Sequence, residues 1–126
     1  MVTKVMIVDD IPDIRYAVKV GLQSLGEYEI IEAENGVDCI DKIPKSRPDV
    51  IVMDIMMPVM DGMEATLKIK NDPAMKDIPV IVLTAKTDKL TRSVGGVCAE
   101  AFLEKPVDIE SLHGTIEKIL REKNGN

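Results

Sequence analysis

Five short apolar segments divide the chain, and stretches of helical periodicity lie between them. The apolar segments are Val5–Val8, Glu29–Ala33, Val50–Met53, Val80–Leu83 and Ala101–Leu103. The first, third and fourth are almost uninterrupted runs of valine, isoleucine, methionine and leucine, which is typical of strands buried on both faces of a parallel sheet. The second and fifth contain more polar residues, and this favours positions at the edges of the sheet.

The stretches between the apolar segments predict five helices. The first begins at about Pro12, the second carries Val37 to Ile43 and reaches Pro44 and Pro48, and the third begins after Asp61-Gly62. The fourth spans Asp88 to about Val97, and the fifth follows Asp108 with an apolar stripe from Ile109 to Leu120. We expect Pro44 and Pro48 to end the second helix because proline lacks the backbone N–H that a helix interior needs. Residues 122–126 are predicted to form a frayed tail.

The alternation of strands and helices predicts the fold class. Connections between successive parallel strands are right-handed and place helices on both faces of the sheet. The chain has 126 residues, whereas an eight-stranded barrel needs about 250. We therefore predict one domain, residues 1–126 with a core of about 4–120, folded as an open three-layer (βα)5 domain of the α/β class.

Composition restricts the chemistry that the chain can perform. Its 22 acidic and 16 basic residues leave a formal net charge of −6, which favours a cation or a basic partner over nucleic acid or an anionic membrane. His113 is the one histidine, so a metal site with two histidines is impossible. Cys39 and Cys98 form no CxxC pair and are predicted to be buried free thiols. No segment has the length and composition of a signal peptide or a membrane span, so we expect a cytoplasmic protein.

Polar side chains directly follow four of the five predicted strands. Asp9 and Asp10 follow the first strand, Asp54 the third, Thr84 the fourth and Lys105 the fifth. Because ligands of open α/β sheets bind outside the carboxyl ends of the strands, we expect these five side chains to converge. Three carboxylates at one place repel one another and need a cation, and oxygen ligands without histidine or cysteine suit Mg²⁺.

Such a site suits phosphoryl transfer. The charges of Mg²⁺ and Lys105 would balance those of the three carboxylates, so that an anionic phosphoryl group could enter. Asp54 could then act as the nucleophile, since aspartate is a known acceptor of phosphoryl groups. Mg²⁺ and Lys105 would stabilise charge on the transferring oxygens, and Thr84 could donate a hydrogen bond to one of them.

The sequence resembles the receiver domain of two-component response regulators over about Lys4 to Leu120. The resemblance rests on Asp9-Asp10, Asp54, Met57-Pro58, Asp61-Gly62, Thr84-Ala85 and Lys105-Pro106, in that order and at these spacings. It implies the flavodoxin-like strand order 2-1-3-4-5 and a cis peptide bond between Lys105 and Pro106.

The same resemblance implies a role for each site residue. Asp54 would accept a phosphoryl group from a phosphohistidine, and Thr84 and Lys105 would contact that group. The Mg²⁺ ligands would be Asp9, Asp10, Asp54 and the backbone carbonyl of Met56. Phe102 stands at the aromatic switch position of the family.

The resemblance also implies a stand-alone signalling switch and its partners. The phosphoryl donor would be a sensor histidine kinase or a phosphotransfer protein. Output would be binding of a downstream protein of unknown identity through the face formed by the fourth helix, the last strand and the fifth helix. We expect no direct contact with nucleic acid, no membrane insertion, and a monomer or a phosphorylation-dependent dimer. The protein would be no enzyme beyond catalysing its own phosphoryl transfer and dephosphorylation.

Three other classes of protein fit the residues less well. An aspartyl-phosphate phosphatase typically carries its nucleophile in a DxD pattern after the first strand, which Asp9-Asp10-Ile11 lacks. A flavin-binding flavodoxin would need a phosphate loop rich in serine, threonine and glycine, and aromatic residues that stack on the ring. A degenerate receiver that acts only as an interaction module would lack part of the site, whereas here every site residue is present.

Overall fold

In the computed structural model of the chain, residues 2–85 and 99–125 are described. The elements in this part are β1 (Thr3–Val8), α1 (Pro12–Leu25), β2 (Tyr28–Ala33), α2 (Gly36–Ser46), β3 (Val50–Asp54), α3 (Gly62–Lys70), β4 (Val80–Thr84), β5 (Ala101–Glu104) and the C-terminal helix α4 (Ile109–Lys123). The fourth helix predicted from the sequence, and Cys98, lie outside the described residues. Among the described helices, none combines the length and the apolar composition needed to cross a bilayer.

All five strands are parallel and pair in the order β2-β1-β3-β4-β5. The three central strands are those with continuous apolar runs, and β3 and β4 are buried along their whole length. The more polar β2 and β5 form the edges, as their composition predicted. The fold class and the strand order are therefore confirmed.

The sheet separates two apolar cores, one on each face. On one face, alternate strand residues such as Met6, Met53 and Val82 pack with α2 and α3. On the other face, Val5, Val52 and their neighbours pack with α1 and the C-terminal helix. Successive residues of a strand point to opposite faces, which is why uninterrupted apolar runs are needed to fill both cores.

Helix α2 was predicted to be ended by Pro44 and Pro48. The prediction is wrong for Pro44, because the helix continues through it and ends at Ser46, two residues before Pro48. Pro44 removes only the N–H that would donate to the Ile40 carbonyl, and the carbonyls of the last turn keep their donors. The Ser46 hydroxyl donates to the Lys42 carbonyl at 2.7 Å, and the Arg47 N–H donates to the Ile43 carbonyl at 2.8 Å. Arg47 then ends the helix in the left-handed conformation, with φ of 47°.

The C-terminal helix is also longer than predicted. Asp108 caps it by accepting from the Ser111 N–H, and the helix extends through Lys123, so the first two residues of the predicted tail are helical. Basic residues in its last turn, Arg121 and Lys123, interact favourably with the negative end of the helix dipole and support this extension.

Cys39 agrees with its prediction as a buried free thiol. It lies on α2 within the core and is fully buried. Burial, and secondarily the neighbouring charge of Asp38, raises the pKa of this thiol to about 12. Because the thiolate is the reactive form, Cys39 acts as a small apolar residue of the core rather than as a nucleophile.

Candidate functional site

The carboxyl ends of four parallel strands bring the predicted site residues to one edge of the sheet. Val8 of β1 pairs with Met53 of β3, so the residues that follow them, Asp9 and Asp54, are neighbours across the two strands. Asp9, Asp54 and Thr84 are all buried, with relative exposures of 2%, 3% and 1%. These three polar side chains, at the ends of otherwise apolar strands, are thus shielded from solvent.

Three carboxylates form a cluster at this edge. One oxygen from each of Asp9, Asp10 and Asp54 lies within 4.8 Å of the others. Within the described part of the chain, Asp9 Oδ2 is buried and has no hydrogen-bond partner, whereas Asp9 Oδ1 accepts from the Ile11 N–H at 2.9 Å. A buried carboxylate oxygen without a partner beside two further carboxylates is a strong ligand for a hard cation. The residues therefore fit a Mg²⁺ site.

Asp9 and Asp10 do not cap the helix that follows them, which would have been their ordinary structural role. Helix α1 begins with Pro12 in its first turn, and its N-cap residue, Ile11, makes no side-chain capping bond. Proline is tolerated there because its missing N–H would have no intrahelical partner. The two carboxylates are thus left for the cluster.

Lys105 provides the positive charge of the site. Its ammonium group forms an ion pair with Asp54 Oδ1, and its backbone N–H donates to the Thr84 carbonyl at 2.9 Å. The peptide bond between Lys105 and Pro106 is cis, as the resemblance implied. Lys105 therefore lies beside the carboxylate that was predicted to accept the phosphoryl group.

The remaining predicted residues lie around this pair. The Thr84 hydroxyl donates to the Ala85 carbonyl at 3.2 Å, a long bond for a hydroxyl donor. Phe102 is half-buried and packs against the core on the side of α2 and α3. The Met56 side chain is exposed. The contribution predicted for Met56 is a backbone carbonyl ligand and does not involve this side chain.

The pKa of Asp9 is raised above its ordinary value of 3.8, mainly because burial disfavours the charged carboxylate. The negative charges of Asp54 and Asp10 act in the same direction, while the Ile11 N–H and Lys105 oppose them. A carboxyl with a raised pKa stabilises the fold when it is protonated, at low pH. That contribution is lost as the pH rises through the pKa of the folded state. The ionised Asp9 carboxylate therefore opposes folding at neutral pH when no cation is present.

Asp9→Asn is accordingly expected to stabilise the metal-free protein at pH 7, by about 1 kcal/mol, because it removes a buried charge that Asp54 and Asp10 repel. The gain should shrink as the pH falls towards 3.8, where the wild-type carboxyl also becomes neutral. Thermal unfolding in EDTA at several pH values measures this difference. Mg²⁺ should raise the melting temperature of the wild type more than that of the variant. A variant less stable than the wild type in EDTA at pH 7 would contradict this account.

Three residues near the strand ends or the C-terminal helix were not selected by sequence reasoning. Arg15 contacts the main chain of Asp9, and Gly62 packs directly against the backbone of Asp54. The sequence predicts an exposed or half-exposed helix position for His113; it is half-buried there and shares a 2.6 Å hydrogen bond with the Tyr28 hydroxyl. The Asp61-Gly62 pair was a signal for Gly62, but no sequence signal distinguishes Arg15 from other arginines on a helix.

The fold, the carboxylate cluster and the lysine together define a class of protein. The chain matches the response regulator receiver domain over residues 5–117, and it belongs to this family of two-component signalling domains. It is 38% identical to the protein PilH of Pseudomonas aeruginosa over 93% of this chain and 97% of PilH. It is 36% identical to PilG of the same organism over 90% of this chain and 84% of PilG. The structure is similar to that of the chemotaxis protein CheY4 of Vibrio cholerae, with a TM-score of 0.85 and 35% identity over 94% of this chain and 99% of CheY4. These likenesses support a receiver of the chemotaxis type.

Proposed function

We propose that the chain is a phosphorylation-activated switch whose Asp54 accepts a phosphoryl group from a phosphohistidine in the presence of Mg²⁺. One observation carries the proposal: the buried Asp54 carboxylate is paired with Lys105 and lies in a cluster with two further carboxylates. The donor would be a sensor histidine kinase or a phosphotransfer protein, since members of this family receive their phosphoryl group in that way.

The transfer uses the residues in distinct roles. An Asp54 oxygen attacks phosphorus, a P–O bond forms, and the P–N bond of the donor breaks with its electron pair returning to the imidazole nitrogen. Lys105 moves from the Asp54 oxygen to an oxygen of the transferred group, where negative charge accumulates. When bound at Asp9, Asp10, Asp54 and the Met56 carbonyl, Mg²⁺ supplies the positive charge that offsets repulsion between the carboxylates and the phosphoryl group.

Phosphorylation of Asp54 would change the conformations of Thr84 and Phe102. A phosphoryl oxygen is a stronger acceptor than the Ala85 carbonyl, so the Thr84 hydroxyl would turn towards it. Phe102 lies on β5 beside β4 and would occupy the space that Thr84 leaves. The two packings would exchange as a population shift, altering the face formed by β5, the C-terminal helix and the fourth predicted helix.

The output of the switch would be binding of a downstream protein at this face. We infer a cytoplasmic protein that is a monomer or a phosphorylation-dependent dimer and that does not bind nucleic acid directly. Its catalysis would be confined to its own phosphorylation and dephosphorylation.

The test is incubation with acetyl phosphate followed by intact mass measurement. We expect a gain of one phosphoryl group with Mg²⁺ and at least a tenfold smaller yield in EDTA, because the carboxylate cluster repels the anionic donor when no cation is bound. Adding Ca²⁺ in place of Mg²⁺ separates a specific requirement from simple charge neutralisation, because Ca²⁺ prefers a larger and more flexible ligand shell. An absence of any adduct with Mg²⁺, or an equal yield in EDTA, would contradict the proposal.

A further inference from the structure

Arg15 lies in the second turn of α1, and its side chain connects the acidic loop to the edge strand β2. Its Nη1 donates to the Asp9 carbonyl at 2.6 Å, and its Nε donates to Glu32 Oε1 at 2.8 Å. The Arg15 side chain is 14% exposed and that of Glu32 is 38% exposed, so the ion pair is partly buried, with Arg15 on the enclosed side. One guanidinium thus holds a backbone carbonyl and a carboxylate at a fixed separation, as its planar arrangement of donors allows.

The carbonyl that Arg15 contacts belongs to the peptide bond between Asp9 and Asp10. A rotation of this peptide would displace both carboxylates. The Asp9 N–H already donates to the Ala33 carbonyl at 3.1 Å, and Asp9 Oδ1 accepts from the Ile11 N–H. With Arg15 in place, Asp9 is therefore held at its N–H, its carbonyl and one carboxylate oxygen, and Oδ2 remains for a ligand.

Glu32 is itself held in position. Its backbone is fixed in β2, where it lies opposite Ile7 of β1. Lys42 Nζ contacts the Glu32 backbone carbonyl, at 2.6 Å, and not the carboxylate that Arg15 contacts. The pairing with Glu32 also balances the charge of Arg15. An unpaired arginine beside the cluster would repel a cation, whereas this pair supplies a hydrogen bond at little electrostatic cost.

We propose that Arg15, held by Glu32, is a positioning residue that orients Asp9 and Asp10 for binding a divalent cation. This inference rests on the proposed function only in that the carboxylate cluster binds Mg²⁺. Removing the hydrogen bond that orients a ligand typically weakens metal binding by about 10- to 100-fold.

The test compares Mg²⁺ dissociation constants from calorimetric titration of the wild type, Arg15→Gln, Arg15→Lys and Lys42→Gln. Coulomb's law alone predicts tighter Mg²⁺ binding when the positive charge of Arg15 or of Lys42 is removed. Positioning by Arg15 predicts the opposite sign at that residue: about tenfold weaker binding in Arg15→Gln, with a smaller loss in Arg15→Lys. Lys42 is the matched control, because it contacts the Glu32 backbone carbonyl and the Asp38 carboxylate but neither the Glu32 carboxylate nor Asp9. Its variant should remain within about twofold of the wild type.

Two further readouts separate positioning from general damage to the fold. In metal-free protein, the Ile11 amide should exchange with solvent faster in Arg15→Gln than in Lys42→Gln. Saturating Mg²⁺ should restore the rate of phosphorylation in Arg15→Gln, whereas a partly unfolded variant would stay below the wild-type rate.

Unchanged or tighter Mg²⁺ binding in Arg15→Gln would overturn the inference and leave the proposed function intact. Weaker Mg²⁺ binding together with no phosphorylation of any variant, the wild type included, would support the inference and overturn the proposed function. A wild type that binds no Mg²⁺ would overturn both.

Discussion

Asp54→Asn is expected to abolish phosphorylation by acetyl phosphate, with no phosphoryl adduct detectable by intact mass under conditions that modify the wild type completely. The amide oxygen of asparagine is a far weaker nucleophile than a carboxylate, and the substitution also removes the charge that pairs with Lys105. The structure makes this effect specific, because within the described residues Asp54 is the carboxylate of the cluster that forms an ion pair with Lys105. Peptide mapping of the wild-type adduct, after reduction of the acyl phosphate, should locate the modification at Asp54.

Asp61→Asn is the matched control for this loss. Asp61 caps α3 by accepting from the Glu64 N–H at 2.8 Å, and it lies outside the carboxylate cluster. Asparagine caps a helix about as well as aspartate does, so this variant should be phosphorylated to the wild-type extent. Residual phosphorylation of Asp54→Asn at another carboxylate, or equal losses in both variants, would contradict Asp54 as the acceptor.

Gly62→Ala is expected to lower the free energy of unfolding by about 2–4 kcal/mol, although it adds only one methyl group. A Cβ at this position would overlap the Asp54 carbonyl oxygen and lie 2.9 Å from the Ile55 Cα. These are backbone atoms of the last residue of β3 and of the residue after it, and they cannot turn away as a flexible side chain would. The Gly62 N–H also donates to the Ile55 carbonyl at 2.9 Å, so relief of the overlap would strain that bond. Urea denaturation measures the change.

Gly114→Ala tests whether the loss comes from close packing rather than from replacing a helical glycine. Gly114 lies in the middle of the C-terminal helix, and a Cβ there would have no neighbour within 4 Å. Alanine in an exposed helix interior is favoured over glycine by about 1 kcal/mol, so this variant should be more stable than the wild type. If Gly62→Ala also gained stability, the tight packing of α3 against β3 would be wrong.

The sheet could be predicted because its strands differ in their apolar content. Continuous runs such as Val50–Met53 can be buried only where helices cover both faces, which identifies a central strand. The more polar Glu29–Ala33 segment suits an edge, and β2 lies there. Helix ends were less predictable. Pro44 was expected to end α2 together with Pro48, but it removes only the N–H that would donate to the Ile40 carbonyl, and burial of Ile43 in the core holds the last turn in place.

The sequence by itself determined which residue types follow each strand, and therefore that Asp9, Asp10, Asp54, Thr84 and Lys105 lie at one edge of the sheet. The hydrophobic pattern is sufficient for this, because parallel strands buried on both faces must end at the same side. The tertiary structure alone decided how the carboxylates are held. Arg15 contacts Asp9 from α1, and its partner Glu32 lies on β2. Such contacts depend on how α1 packs against the sheet, and the periodic pattern of apolar residues does not show which polar side chains that packing brings together.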